Sequence, residues 1–377
     1  MSLIRYLTKI HFADGIVDHA VTAEVDALGA RRPLIITENA ALNSGLLDRI
    51  RAALPPRAES FAFDQTPQAP TIAAAMAAAR IYRESDCDCI IGLGNGSALD
   101  LAKAVGIAVS HKGSLTGYAA DEGGIARISD ILPPLIAIPT TAGTGSEAGH
   151  SAHLMLRNGR RIGLLSPFLV PRVAICDPTL TLAQPADATA RTGMDALTHC
   201  IETYVSTAYN PPADGIALEG LKRAAANIER AVGDGRNLDA RREMMAASIN
   251  GALALQKGLG AVHAASHALG GINRCRLSHG MLNAVLLPHI LEFNAPAVAG
   301  RYGALKQAMG LKPRADLPAA IAELTQRIGL AARLRDMGVD KRTIAAAAPL
   351  AEKDHTNGTN PRRARADDYR TIMCAAF

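Results

Sequence analysis

The feature that most constrains this chain is a change of pattern close to Pro185. Before it, short runs rich in Ile, Leu and Val alternate with Ala-rich stretches, and the runs lie at residues 33–37, 89–93, 135–139 and 173–176. Strands that alternate with helices predict a parallel sheet covered on both faces. We therefore predict an α/β domain over residues 1–185.

After Pro185 the apolar residues fall at helical spacing, for example over residues 215–232, 241–255 and 319–328. Ala and Leu dominate this half, and both are strong helix formers. A chain of 377 residues is long enough for two domains. We predict an all-helical second domain over residues 186–377.

Composition excludes several classes of function. The net charge of +5 is spread along the chain without a Lys/Arg block, and aromatic residues are only 3%, so we expect no nucleic-acid partner. The apolar runs are too short to cross a bilayer. The N-terminus lacks the pattern of a signal peptide, and six cysteines are too few for a disulfide framework. We expect a cytoplasmic protein.

A glycine-rich segment, GLGNGSALD, covers residues 92–100 between a predicted strand and a predicted helix. Glycines allow close approach of the backbone to a ligand, and a helix N-terminus favours a phosphate. Ser97 and Asp100 also have the spacing of a helix-capping pair. The segment therefore predicts either a phosphate-binding loop or a well-capped turn.

A second turn, PTTAGTGSE at residues 139–147, follows the third predicted strand. Its small hydroxyl side chains are suited to phosphate and ribose, and loops after neighbouring parallel strands converge on one ligand. The alternative is a tight turn whose Ser and Thr satisfy local backbone groups. Glu38 ends the first predicted strand, where a carboxylate can accept hydrogen bonds from ribose and would repel a 2′-phosphate. This favours NAD over NADP, although Glu38 also suits a turn.

The third group of candidates is an acid and four histidines. Asp195 and His199 are four residues apart in a predicted helix, so they share a face; His263 and His267 repeat this spacing, and His279 follows. A carboxylate with imidazoles suits Fe(II) or Zn(II). Spacing alone predicts a generic metal site that includes His267. Such a metal polarises an alcohol or carbonyl, and the alcohol can then pass hydride to a nicotinamide.

Six segments, taken in order, resemble the iron-containing (group III) alcohol dehydrogenases. They are GLGNGSALDLAKAVG, PTTAGTGSE, CDPTLT, GMDALTHCIETYVS, GLGAVHAASHALGG and HGMLNAVLLPHILEFN. The resemblance runs from about residue 30 to Arg362. It implies a Rossmann-like N-terminal domain and an all-α C-terminal domain, the architecture shared with dehydroquinate synthase, often in dimers or larger assemblies.

The resemblance also implies roles for individual residues. The metal ligands would be Asp195, His199, His263 and His279, with iron favoured and zinc as the alternative. His267 would be a catalytic residue or proton relay beside the metal and nicotinamide. The residues expected to contact NAD(H) are Glu38, Gly94, Asn95, Gly96, Ser97, Ala98, Thr140, Thr141, Thr144, Arg161 and Leu180.

Departures from the family pattern point to the substrate. Arg161 replaces the usual Lys, which keeps the charge but changes its geometry. His150 and Ser151 lie in a segment that lines the substrate pocket in this family. The stretch before His279 is about two residues longer than usual and carries Arg274 and Arg276. These arginines are either solvated charges or attract an anionic substrate, such as an ω-hydroxy acid, a semialdehyde or a phosphonate aldehyde.

We therefore predict a metal-dependent NAD(H) alcohol dehydrogenase or aldehyde reductase that acts on a primary alcohol or aldehyde. The alternatives are a maleylacetate-reductase-like or glycerol-dehydrogenase-like oxidoreductase, a lyase of the dehydroquinate-synthase type, and a silent nucleotide- or metal-binding protein. Production of NADH on addition of an alcohol would separate these classes.

Overall fold

A computed structural model describes residues 4, 6, 8–272 and 277–377. Contacts between Cα atoms group the chain into two compact units. We call residues 6–141 and 146–181 the α/β unit, and residues 142–145 and 182–377 the helical unit. Residues 142–145 therefore group with the helices although they lie far upstream of residue 182. The domain boundary at residue 185 stays a prediction.

Among the residues that the structure describes, the α/β unit contains eight strands in two sheets. They are β1 (Lys9–Phe12), β2 (Pro33–Ile36), β3 (Phe61–Phe63), β4 (Cys89–Gly94), β5 (Leu135–Pro139), β6 (Ser151–Met155), β7 (Arg161–Leu165) and β8 (Val173–Cys176). Six of them form a parallel sheet in the order β1-β8-β5-β4-β2-β3. The predicted parallel sheet is thereby confirmed.

The helices divide between the two units. The α/β unit contains α1 (Val17–Ala27), α2 (Asn39–Asn43), α3 (Leu46–Ala52), α4 (Ile72–Glu84) and α5 (Gly96–Ser110). The helical unit contains α6 (Ala186–Val205), α7 (Pro211–Gly233), α8 (Leu238–Ala254), α9 (Ala261–Ile272), α10 (His279–Ala308), α11 (Leu317–Arg327), α12 (Lys341–Lys353) and α13 (Ala366–Ala375). None of the described helices is both long and apolar enough to cross a membrane.

Strands β2, β4, β5 and β8 are buried along their whole length. Their side chains alternate between two apolar clusters, one on each face; for example, Leu34 and Ile90 lie in one cluster while Ile35 and Ile91 lie in the other. A parallel sheet covered by helices on both faces requires such continuous apolar runs. These runs are the signal that allowed the strands to be predicted.

Three local features were not predicted from the sequence. Helices α2 and α3 are separated at Gly45, which has a positive φ of 73°. The antiparallel hairpin of β6 and β7 was not predicted, since its strands are only half-buried. Helix α5 is capped by Asn95 rather than by Ser97 and Asp100.

In the helical unit, α6 packs against α7, α8 and α10, while α9 packs against α10 and α12. Fifteen of the twenty residues of α6 are buried, which makes it a central helix of the unit. Helix α10 contains Pro288 and Pro296, and its backbone is non-helical at Val298. Proline removes a helical hydrogen bond and commonly bends a helix. The part of α10 that precedes these prolines contains His279 and Asn283.

Candidate metal centre and nucleotide-binding loops

The candidate metal centre is built on α6, α9 and α10. Asp195 and His199 lie one turn apart on α6, and both are buried. Oδ1 of Asp195 lies 3.8 Å from Nε2 of His199, 3.8 Å from Nε2 of His263 and 3.6 Å from Nε2 of His279. The three helices therefore bring together the four residues that the resemblance implied as ligands.

The tightest part of this group is formed by Asp195, His263 and His279, whose candidate ligand atoms all lie within 4.8 Å of one another. The fourth residue, His199, stacks on His263 with 4.7 Å between the ring centroids. The imidazoles thus pack edge to face or face to face around one carboxylate oxygen.

Three observations indicate that this group fits a divalent transition metal. Metal–ligand bonds of about 2.0–2.2 Å place neighbouring ligands of a tetrahedron roughly 3.3–3.6 Å apart, close to the 3.6–3.8 Å observed here. Nε2 of His263 is buried and has no hydrogen-bond partner among the described residues. Burial also lowers the pKa of His199, which favours the neutral imidazole that binds metals.

His267 lies beside this group. Its ring stacks on that of His279 with 5.4 Å between centroids, and its Nδ1 lies 3.1 Å from Oδ2 of Asp354. The other Asp354 oxygen accepts hydrogen bonds from the Thr356 amide at 2.8 Å and hydroxyl at 2.6 Å. Burial opposes ionisation of Asp354, yet the neighbouring His267 holds the pKa of this carboxyl well below its usual range. An anionic Asp354 is therefore positioned to orient His267.

Three further polar side chains contact the candidate ligands, and the sequence analysis missed them. Glu202 Oε2 lies 2.5 Å from Nδ1 of His263, Ser266 Oγ lies 2.7 Å from Nδ1 of His279, and Asn283 Nδ2 donates to Asp195 Oδ1 at 2.8 Å. Each lies three, four or seven residues after a ligand on the same helix. Spacing on their own helices does not identify these contacts, because each side chain contacts a ligand on a different helix.

The glycine-rich segment joins β4 to α5. Gly94 has a φ of 141°, and a Cβ at this position would lie only 1.9 Å from Oε2 of Glu38. The Asn95 side chain accepts hydrogen bonds from the amides of Ser97 at 2.9 Å and Ala98 at 3.4 Å, which caps α5. Ser97 Oγ donates to the carbonyl of Gln68 at 2.6 Å. The positive φ therefore favours glycine at position 94, and a Cβ there would displace the Glu38 side chain.

Glu38 lies at the N-terminus of α2 and is buried. Its Oε1 accepts a hydrogen bond from the Asn95 amide at 3.2 Å, while Oε2 has no hydrogen-bond partner among the described residues. Burial raises the pKa of Glu38 to about 7. Glu38 thus both supports the glycine-rich segment and keeps one oxygen available to a ligand.

The start of the second predicted loop, residues 139–147, lies beside the start of the glycine-rich segment. The amide of Thr140 donates to the carbonyl of Gly94 at 2.9 Å, so the ends of β5 and β4 lie side by side. Thr141 is the last residue of this part of the α/β unit, while Thr144 lies in the segment grouped with the helical unit. That segment is packed tightly, since a Cβ at Gly145 would lie 2.3 Å from Cβ of Ala252.

The candidate substrate residues His150 and Ser151 follow this loop, and the buried Lys103 supports their backbone. Its Nζ donates at 2.9 Å to Ser146 Oγ and to the carbonyls of Gly149 and Ser151. Arg161 begins β7 opposite Met155, Leu180 lies in the turn Pro178–Thr181, and Arg274 and Arg276 lie outside the described residues.

Family models match both parts of the chain. The model of iron-containing alcohol dehydrogenase matches residues 8–178, and that of the C-terminal part of the Fe-containing alcohol dehydrogenase family matches residues 189–377. The chain therefore belongs to the iron-containing alcohol dehydrogenase family. The predicted fold class and the predicted class of enzyme, an alcohol dehydrogenase, are confirmed.

Among its relatives is a 4-hydroxybutyrate dehydrogenase from Cupriavidus necator, 47% identical over 380 residues, which covers 99% of each chain. A solved 1,3-propanediol oxidoreductase is 33% identical and superimposes with a TM-score of 0.93 over 100% of both chains. A sulfoacetaldehyde reductase from Bifidobacterium kashiwanohense, solved in complex with NAD+, is 27% identical with a TM-score of 0.90 and covers 100% of this chain and 98% of its own.

Proposed function

We propose that this enzyme oxidises an ω-hydroxy acid to its semialdehyde with NAD+, and reduces the semialdehyde with NADH, in a metal-dependent reaction. The first candidate substrate is 4-hydroxybutyrate. The observation that carries the proposal is the convergence of Asp195 with three imidazoles at 3.6–3.8 Å. The similarity to a 4-hydroxybutyrate dehydrogenase, 47% identical over nearly the whole of both chains, supports the substrate class.

Asp195, His199, His263 and His279 would hold the metal. A divalent metal at this position acts as a Lewis acid, which lowers the pKa of an alcohol and polarises the carbonyl of an aldehyde. The protein contributes three imidazoles and one buried carboxylate. This donor set suits both Fe(II) and Zn(II), and we propose Fe(II) from the family to which the chain belongs.

The nucleotide would lie over the ends of β4 and β5. Backbone groups of residues 94–98 would hold its pyrophosphate, while Thr140, Thr141 and Thr144 would contact the same cofactor, with Arg161 and Leu180 at its edges. The hydrogen bond between Thr140 and Gly94 supports this arrangement because it brings the two loops together. Glu38 would accept hydrogen bonds from the ribose and disfavour a 2′-phosphate.

His267 would move the proton that the alcohol releases. Its contact with the anionic Asp354 supports this role, because a carboxylate on Nδ1 fixes the ring and leaves Nε2 as the exchanging nitrogen. Hydride would pass directly from the alcohol carbon to the nicotinamide.

The substrate carboxylate would be recognised by the arginines at 274 and 276, with His150 and Ser151 shaping the pocket. For the two arginines, the proposal rests on the sequence, because both lie outside the described residues. The anchoring of the Ser151 backbone by Lys103 supports a fixed position for the other two residues.

The test is a steady-state comparison with metal-reconstituted enzyme. We expect kcat/KM for 4-hydroxybutyrate to exceed that for 1-butanol, the neutral counterpart, by at least about 10-fold, since one charged contact contributes roughly 1.5–3 kcal/mol. Arg274→Ala and Arg276→Ala should raise the KM for 4-hydroxybutyrate and leave that for 1-butanol unchanged. The control is Arg314→Ala, which removes an exposed arginine between α10 and α11.

Equal Michaelis constants for both alcohols in the wild type and the arginine variants would remove the anionic substrate from the proposal. Absence of NADH formation with any alcohol after metal reconstitution would contradict the proposed oxidoreductase reaction itself.

A further inference from the structure

Three buried polar residues outside the ligand set form a regular pattern around it. Glu202, Ser266 and Asn283 have exposed fractions of 4%, 1% and 0%. Each lies on a helix that also carries a candidate ligand: Glu202 on α6, Ser266 on α9 and Asn283 on α10. Each contacts the ligand of another helix.

The contacts close a ring of three helices. Glu202 of α6 contacts His263 of α9 at 2.5 Å; Ser266 of α9 contacts His279 of α10 at 2.7 Å. Asn283 of α10 donates to Asp195 of α6 at 2.8 Å. Every helix therefore supplies at least one candidate ligand and the support for a ligand on the next helix.

The Glu202 contact determines which nitrogen of His263 can bind a metal. A carboxylate only accepts hydrogen bonds, so Nδ1 of His263 must carry the hydrogen. The lone pair is then on Nε2, the nitrogen that lies 3.8 Å from Asp195 Oδ1 and has no hydrogen-bond partner among the described residues. Glu202 thereby selects the ligand tautomer and adds a second negative charge beside the site.

The contacts of Ser266 and Asn283 give His279 the same tautomer. The amide of Asn283 also lies 3.3 Å from Nε2 of His279, and because Nδ2 only donates, that nitrogen must carry the lone pair. Nδ1 then donates to Ser266 Oγ. The two supporting side chains thus direct Nε2 of His279 and Oδ1 of Asp195 toward the same point.

We infer that Glu202, Ser266 and Asn283 are positioning residues that preorganise this site for a divalent cation by fixing imidazole tautomers across three helices. The inference rests on the proposed metal-dependent function. Glu202 has the largest effect because it is charged and makes the shortest of the three contacts. Loss of such supporting contacts typically lowers metal affinity by about 10–100-fold.

Glu202 also has a structural contact that the test has to separate from its effect on the metal. Its Oε1 accepts the Val262 amide at 2.7 Å, near the start of α9. A purely structural role would lower the stability of the metal-free protein and leave the affinity of the folded protein for metal unchanged. Positioning lowers the metal affinity itself.

The experiment measures the dissociation constants of Zn(II) and Co(II) for full-length, chelator-stripped protein by competition with a chromophoric chelator. The Co(II) absorption spectrum and the melting temperature of the metal-free protein are recorded in parallel. The variants are Glu202→Gln, Ser266→Ala and Asn283→Ala. The matched control is Thr198→Val, which removes a buried hydroxyl on α6 that bonds only to the Met194 carbonyl at 2.7 Å among the contacts described.

We expect Glu202→Gln to weaken Zn(II) binding about 10–100-fold and to shift the Co(II) spectrum. Ser266→Ala and Asn283→Ala should have smaller effects in the same direction, and the control should stay within about twofold of the wild type. Affinities for all three variants equal to that of the control would overturn the inference. If Glu202→Gln does not fold, the other two variants decide it by the same criterion. A wild type that binds neither metal would instead contradict the proposed function.

Discussion

The candidate metal centre and the nucleotide-binding loops use different parts of the chain: the first uses side chains, and the second uses mainly backbone groups. The metal centre consists of side chains from three helices, directed at one point and supported by further buried side chains. The loops after β4 and β5 consist mainly of glycines and small residues, and they offer backbone groups and a helix N-terminus. Function at the metal centre therefore depends on which side chains are present, whereas function at the loops depends on the conformation of the backbone.

This difference predicts how each region responds to substitution. A side chain that binds a metal is essential for that metal and for little else, so its removal should leave nucleotide binding intact. A glycine in a phosphate loop is essential for backbone shape, so adding a methyl group should damage nucleotide binding and leave the metal in place.

The largest effect is expected for His263→Ala. This variant removes a buried ligand and leaves the Glu202 carboxylate facing a cavity, so metal content should fall to background and turnover should be abolished. NADH affinity, followed by nucleotide fluorescence, should stay within about threefold of the wild type, since effects at separate sites are usually independent. Loss of NADH binding with metal retained would contradict the assignment of both regions.

The converse variant is Gly94→Ala. Its Cβ would lie 1.9 Å from Glu38 Oε2, so the Glu38 side chain has to move, and the φ of 141° is a conformation that alanine rarely adopts. We expect the dissociation constant of NADH to rise at least about 10-fold, a cost of roughly 1.4 kcal/mol, with unchanged metal content. Gly113→Ala is the control, because Gly113 also has a positive φ but open space around it. Equal NADH affinities in the two variants would show that strain at Gly94 has no bearing on the nucleotide.

A smaller effect is expected for Glu38→Ala. Removal of this carboxylate takes away a hydrogen-bond acceptor for ribose and a repulsive charge for a 2′-phosphate. The ratio of kcat/KM with NAD+ to that with NADP+ should fall by about 10-fold, in line with one charge-assisted contact. An unchanged ratio would mean that Glu38 does not select the cofactor and that its role is limited to accepting the hydrogen bond from the Asn95 amide.

The smallest effect concerns pH. Burial raises the pKa of Glu147 to about 7, above its ordinary value of 4.5. The folded protein then binds more protons than the unfolded chain between these values, so stability is lost as pH rises from about 4.5 to 7. The Glu147→Gln variant should lose less stability than the wild type as pH rises, and the two free energies of unfolding should diverge by at most about 1.4 kcal/mol per pH unit. Urea midpoints measured from pH 5 to 8 would test this, and parallel curves would contradict it.

The sheet could be predicted from the sequence because strands β2, β4, β5 and β8 are continuous apolar runs. The candidate metal centre could be predicted in part, because Asp195 and His199 are four residues apart, as are His263 and His267. The choice of ligands among these residues came from the family resemblance, and it stays a prediction. The cellular location and the assembly state stay predictions.

The sequence was insufficient where the outcome depends on packing between distant segments. The hairpin of β6 and β7 is a local exception: its strands alternate between buried and half-buried residues, but each is only five residues long. The caps of α5 could not be assigned, because the register of its first turn depends on Glu38 and Gly94 in three dimensions. Ser266 and Asn283 are ordinary helix residues until the partner histidine and aspartate are placed beside them.

The most direct test is metal removal from the wild-type enzyme. Chelator-treated protein should bind NADH with unchanged affinity but produce no NADH from 4-hydroxybutyrate and NAD+. Addition of Fe(II) under anaerobic conditions, or of Zn(II), should restore turnover at one metal per chain. Full activity of the metal-free protein, or failure of both metals to restore a protein that still binds NADH, would contradict a metal-dependent alcohol dehydrogenase.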